Sequence, residues 1–132
     1  MSMRRVVVTG VGAVSPCGAT TESTWDGVVS GRSGIARIER FDPTDYASQI
    51  AGECLDYDAD QYIEKKKRKE MARFVEFALG ASAQAIASSG FEPDDAAKER
   101  VGTFIGVGFC GMEAVEEQHR RLMEKGPRRV SA

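Results

Sequence analysis

An α/β layered fold is predicted by the order of patterns along the 132 residues. Two β-branched apolar runs, Arg5 to Thr9 and Val101 to Val107, each lead into a glycine-rich turn, and helical spacings follow each of them. Runs that are apolar without alternation belong to strands covered on both faces, and strands interleaved with helices pack as layers. The length allows one domain, or a piece of one, with a real core.

The first run opens "RRVVVTGVGAVSP". Gly10 and Gly12 begin a dinucleotide fingerprint, but Ser15 stands where its third glycine belongs, so no such site is read here. Thr21 is placed to cap a short surface helix carrying Glu22 in its first turn and Trp25, Val28 and Val29 as a stripe, with Gly31 at its exit. From Ser33 to Asp58 no helical period is sustained and "FDPTDY" is turn chemistry, so a long excursion is expected, with a short strand near Gln49 to Glu53. The basic run "EKKKRKE" then leads into a helix marked by Met71, Phe74, Val75, Ala78, Leu79, Ser82 and Ile86, ending at Gly90. Its alanines, serines and glycines let another backbone approach, which predicts an interior position. "FEPDDAAKER" is a polar connection with one helical turn. After the second apolar run, Met112, Val115, His119, Leu122 and Met123 mark a last helix stopped by Gly126 and Pro127. Two strands are few for a sheet, and "GPRRVSA" adds no third, so the unit is expected to be incomplete at its C-terminal end.

A net charge of −2 argues against a general nucleic-acid binder. No apolar run approaches the ~20 residues that span a bilayer, and the N-terminal one is too short for a signal peptide, so a cytoplasmic protein is expected. Cys17, Cys54 and Cys110 are odd in number and lack C-x-x-C spacing, which favours free thiols over a disulfide framework or a metal site. Cys110 lies at a glycine-lined turn of the kind that holds nucleophiles. Thiol activation, however, needs a base or a positive charge at hand, and the lone histidine, His119, lies further along a helix. A structural role is the reading for all three thiols.

Several stretches taken together, "RRVVVTGVGAVSPCG", "ESTWDGVVSGRSGI", "FDPTDYASQIAGE", "RKEMARFVEFALGASAQAI" and "IGVGFCGMEAVEEQHRRLMEKGPRRVS", resemble the N-terminal part of the β-ketoacyl-acyl-carrier-protein synthases, specifically the type II condensing enzymes. The resemblance covers essentially the whole chain. It implies a thiolase-like fold, layered α/β/α/β/α when complete, with residues 1–132 forming an incomplete N-terminal portion. It implies an acyltransferase of fatty acid elongation: an acyl chain on a cysteine thiolate is attacked by the carbanion left when malonyl-carrier protein loses carbon dioxide, with two histidines assisting. The family's "TAC", "HGTGT"-like and "NSFGFGGHN"-like motifs do not occur here, so the catalytic residues are expected beyond Ala132 and the chain alone is expected to be inactive. Alternatives are a catalytically silent partner of the chain-length-factor kind and a non-functional fragment.

The same resemblance implies roles for particular residues. Cys110 falls where the family usually has a glycine, not at its nucleophile. Phe109 matches a position facing the acyl pocket near the dimer interface, where its size would limit chain depth. Lys66, Lys69, Arg128 and Arg129 match a basic patch that docks the acidic acyl carrier protein, while Glu70 departs from that pattern. The implied partners are acyl carrier protein, acyl and malonyl thioesters and a second copy of the chain, with no cofactor, metal, nucleic acid or membrane.

Overall fold

The computed structural model describes residues 3–69, 71–109 and 111–130. Helix α1 (Thr21–Val29) is capped one residue earlier than the sequence reading placed it. Thr20 accepts from the Ser23 N–H, and the Ser23 hydroxyl oxygen accepts in return from the Thr20 N–H, closing a capping box. Beyond its end Gly31 takes a φ of 69°, open to a residue without a Cβ. Trp25, Val28 and Val29 are exposed, as befits a surface helix.

Strand β1 (Ile35–Arg37) pairs antiparallel with β2 (Ile50–Gly52), Ile35 opposite Gly52 and Arg37 opposite Ile50. The second of these is the strand expected near Gln49 to Glu53. Glu53 stiffens the connection between them, its carboxylate accepting from the backbone N–H groups of Glu39 at 2.7 Å and Arg40 at 3.3 Å. A 3₁₀ turn (Ala59–Gln61) and one turn of helix, α2 (Lys65–Arg68), lead to the long helix α3 (Arg73–Ser89). Gly90 ends α3 in the left-handed conformation, φ 61°. Helix α4 (Asp95–Lys98) is capped by the Asp94 carboxylate, and α5 (Met112–Lys125) gives way at Gly126 to a second 3₁₀ turn (Pro127–Arg129).

The core centres on Tyr57, Ala59 and Ile63, with Val14, Ala19, Cys54, Tyr62, Met71 and Phe77 packed around it. Tyr57 meets Phe77 edge to face at 5.3 Å and lies parallel to Tyr62 at 6.1 Å. Its hydroxyl donates to the Glu76 carbonyl at 2.6 Å, and Gly80 leaves room for its ring: a Cβ there would stand 2.8 Å from Tyr57 Cε2. The small-residue face of α3 receives the N-terminal segment. A Cβ on Gly10 would lie 2.7 Å from Ser89 Cβ, and one on Gly12 would strike the Ala81 carbonyl. The interior position predicted for α3 thus holds on this face, while Leu79 and Ile86 stay exposed.

The two buried strands of the sequence reading are not present as strands. Neither residues 5–9 nor residues 101–107 join a ladder, and Val6 is 92% and Phe104 98% exposed. A strand exists only with a hydrogen-bonded neighbour, and among the described residues neither run has one. The only described sheet is the β1–β2 pair, which the two runs flank in sequence without joining.

Candidate functional site

The surface with the most chemistry is basic. Four adjacent cationic residues, Lys65 to Arg68, make up α2, whose N-cap, Glu64, forms no capping bond. Two of the four point back at acid: Lys65 Nζ lies 3.3 Å from Asp60 Oδ2, and Arg68 bridges Asp60 Oδ1 at 3.0 Å and Glu76 Oε1 at 2.7 Å. Glu76 is buried on the first turns of α3, so the Arg68 bond satisfies a carboxylate that water scarcely reaches. The hydrogen bond from Arg68, with Lys65 beside it, holds the Asp60 carboxyl below its ordinary range, and the two acids hold the Arg68 guanidinium above its own. Lys67 pairs with Glu64, at 3.5 Å on the surface.

Between α2, the start of α3 and α5 lies an open cleft of about 550 Å³. Arg40, Arg68, Lys69, Arg73 and Arg121 face it, against Glu76, Glu113 and Glu117. Arg73 is held by a bond to the Cys54 carbonyl at 2.7 Å and by the Phe77 ring 4.9 Å from its guanidinium carbon. Ala72, the N-cap of α3, has no side chain to offer, and Glu113 of α5 accepts from the Arg73 N–H at 3.4 Å in its place. An adjoining cleft, sharing Glu117 and Arg121, is lined also by Lys125 and Arg129.

The structure therefore brings Lys69 and Arg129 onto one string of clefts through Arg121. Lys66 and Arg128 line neither cleft but are exposed beside their neighbours, and none of the four makes an ion pair among the described residues. Phe109 is 79% exposed and lines none of these clefts. Cys110 and Glu70 lie outside the described residues. His119 is exposed on α5. Cys17 and Cys54 are free and half-buried, and burial pushes the Cys54 thiol up despite Arg73 nearby, the opposite of activation. Among the described residues no helix is long and apolar enough to cross a membrane.

The family model described as "Beta-ketoacyl synthase, N-terminal domain" matches residues 3–132. The chain belongs to the β-ketoacyl synthase family. It is 44% identical over 131 residues to 3-oxoacyl-[acyl-carrier-protein] synthase 2 of Vibrio cholerae serotype O1, covering 99% of this chain and 32% of that protein. Enzymes of the same name from Synechocystis and Staphylococcus aureus strain N315 are 41% and 40% identical over 131 and 128 residues, covering 99% and 97% of this chain and 32% and 31% of theirs. The chain thus spans about a third of the length of these relatives. Among solved structures, the ishigamide ketosynthase/chain length factor shares the fold, with a TM-score of 0.77 at 24% identity over 99% of this chain and 32% of that one. A type II polyketide ketosynthase solved in complex with its acyl-carrier protein (AntDE:AntF) gives a TM-score of 0.68 at 27% identity, covering 91% of this chain and 32% of that one.

Within this β-ketoacyl synthase chain, sequence reasoning missed two residues that line the site and one that holds the N-terminal segment. Arg121 joins the two clefts, and the signal for it was present in the arginine pair next to His119. Arg40, in the excursion after β1, reaches the first cleft with no periodicity to mark it. Gln84, midway along α3, ties the N-terminal segment to the helix. Its amide nitrogen donates to the Ala19 carbonyl at 3.0 Å, and its oxygen accepts from the Thr21 N–H at 3.1 Å and the Ala13 N–H at 3.3 Å.

Proposed function

We propose that this chain is the opening portion of a thiolase-like, five-layered condensing enzyme of the cytoplasm that extends acyl chains in fatty acid synthesis. In that reading an acyl chain is held as a thioester on a cysteine beyond Ala132. Malonyl-carrier protein loses carbon dioxide, and the carbanion attacks the thioester carbonyl and expels the cysteine thiolate, assisted by two histidines also beyond Ala132. The described residues contribute recognition rather than bond chemistry, and the 132-residue chain alone is inactive. The whole enzyme works as a homodimer, with Phe109 against the acyl pocket.

The observation that carries this reading is a basic surface on which Lys69 and Arg129, joined along the clefts by Arg121, stand beside the exposed Lys66 and Arg128, with none of Lys66, Lys69, Arg128 and Arg129 in an ion pair among the described residues. An acidic carrier protein meets complementary charge there, which speeds encounter and sets orientation. The type II polyketide neighbour, solved with its acyl-carrier protein, supports such a partner.

The test is binding of an acidic acyl carrier protein to the chain at two salt concentrations. The double variant Lys66→Glu/Lys69→Glu is expected to bind roughly tenfold more weakly at low salt, with most of the difference gone at high salt. Equal binding by the parent and the charge-reversed chain would overturn the docking assignment.

A further inference from the structure

One turn of helix made of four cations does not hold itself together. A nucleus this short is unfavourable in water, its like charges repel, and positive groups near a helix N-terminus oppose the dipole. No capping bond offsets these costs in α2. What the structure offers instead is Arg68. Its Nε reaches the buried Glu76 carboxylate on α3 and its Nη1 reaches Asp60 in the 3₁₀ turn, which Lys65 also contacts. Glu76 is in turn bonded through its carbonyl to Tyr57 of the core. The chain of contacts runs from the packed interior to the basic helix through one guanidinium.

The helical period gives this attachment a directional consequence. Residues three apart share a face, so Lys65 and Arg68 lie together while Lys66 and Lys69 lie about 100° further round the axis. Holding the first pair against Asp60 and Glu76 turns the second pair to solvent, where both are exposed. Arg68 itself is only 34% exposed at its side chain, against 83% for Lys65 and 64% for Lys67.

We infer that Arg68, although it belongs to the basic run, is a positioning residue: through Glu76 and Asp60 it sets the rotation of α2 and so aims Lys66 and Lys69 at an acidic partner. The inference rests on the docking reading for its purpose but not for its geometry. Arginine suits the task because its planar fork serves two carboxylates at once, which a lysine cannot do in the same way.

Two readouts on the full chain separate the inference from the reading beneath it. The first is amide hydrogen exchange at residues 68 and 69 in the free chain, and the second is affinity for an acidic acyl carrier protein. Arg68→Gln strands the buried Glu76 carboxylate. It is expected to speed exchange in α2 at least ~tenfold and to weaken carrier binding by about the same factor. Arg68→Gln/Glu76→Gln, which replaces the ion pair by two amides able to bond each other, is expected to recover slow exchange and affinity within about threefold of the parent. A double variant that regains slow exchange yet binds as weakly as Arg68→Gln would show Arg68 contacting the partner directly and overturn the inference. Unchanged exchange in Arg68→Gln would overturn it too. If Lys66→Glu/Lys69→Glu leaves carrier binding intact, the docking reading falls while the exchange experiment still decides the geometry. Should Arg68→Gln unfold the chain, Asp60→Asn loosens only the exposed side of the attachment and is expected to speed α2 exchange by a smaller factor; no change there would count against the inference.

Discussion

Replacing Gln84 with methionine tests how the N-terminal segment is held on α3. Methionine keeps nearly the same length and volume but has no amide, so the change removes hydrogen bonds with little loss of packing. Three bonds of 3.0–3.3 Å disappear, to Ala19, Thr21 and Ala13, together with longer contacts to the Thr21 and Tyr62 hydroxyls, each at 3.4 Å. The Thr21 N–H belongs to the first turn of α1, where the helix has no carbonyl to offer it. At roughly 1 kcal/mol net for each bond the loss would approach 3 kcal/mol, and partial access of water to this half-buried site lowers it to about 2 kcal/mol. With a urea slope of roughly 2 kcal/mol per molar, the unfolding midpoint should fall by about 1 M. Exchange of the Ala13 and Thr21 amides should accelerate in the same variant. A midpoint unchanged within error, with both amides still protected, would refute the view that Gln84 is the tie.

Acid should release α2 through Asp60. Its folded carboxyl is held below the ordinary aspartate value of 3.8, chiefly by the Arg68 hydrogen bond, so its contribution is present above that value and is lost as pH falls through the folded one. Exchange protection in α2, corrected for intrinsic rates, should therefore be flat across neutral pH and drop only below 3.8; protection lost between pH 5 and 7 would contradict the assignment. In the complete enzyme, Phe109→Ala is expected to shift preference toward longer acyl chains. In the 132-residue chain, where this side chain is 79% exposed, the same substitution should move stability by less than about 0.5 kcal/mol, so a changed chain-length profile would not come from a defect in this portion. An unchanged profile would remove its gating role.

Where the chain marks its own boundaries, the reading and the structure agree closely. Gly31, Gly90 and the Gly126-Pro127 pair end three helices because these glycines turn the chain through a positive φ that a Cβ would oppose, and proline has no N–H to carry the ladder on. The cap of α1 slipped by one residue because two adjacent threonines are equally good caps on paper, and only the Ser23 partner chooses Thr20. The core around Tyr57, Ala59 and Ile63 was not legible, since it forms at a turn where neither period applies and ring contacts do the packing. Gln84 escaped notice because a search for apolar spacing passes over a polar residue, although one long amide among alanines and serines is itself a sign of a backbone nearby. The runs at 5–9 and 101–107 were read correctly as apolar and wrongly as buried, because composition records a preference for cover and says nothing of what supplies it. Lys69 and Arg129 could be placed on one surface only once α5 was seen beside α2.

The bonds from Gln84 to Ala13 and Thr21 close loops of 71 and 63 residues. Loops of that span form late, since their closure entropy must be met before the contact stabilises anything. On a ribosome, the segment carrying Gly10 and Gly12 emerges first yet has no seat until the whole of α3 has cleared the exit tunnel. In that interval Val14 and the backbone around Gly10 and Gly12 stand open to any chaperone that grips extended apolar chain, and the pace of translation across residues 13–84 sets how long they wait for cover.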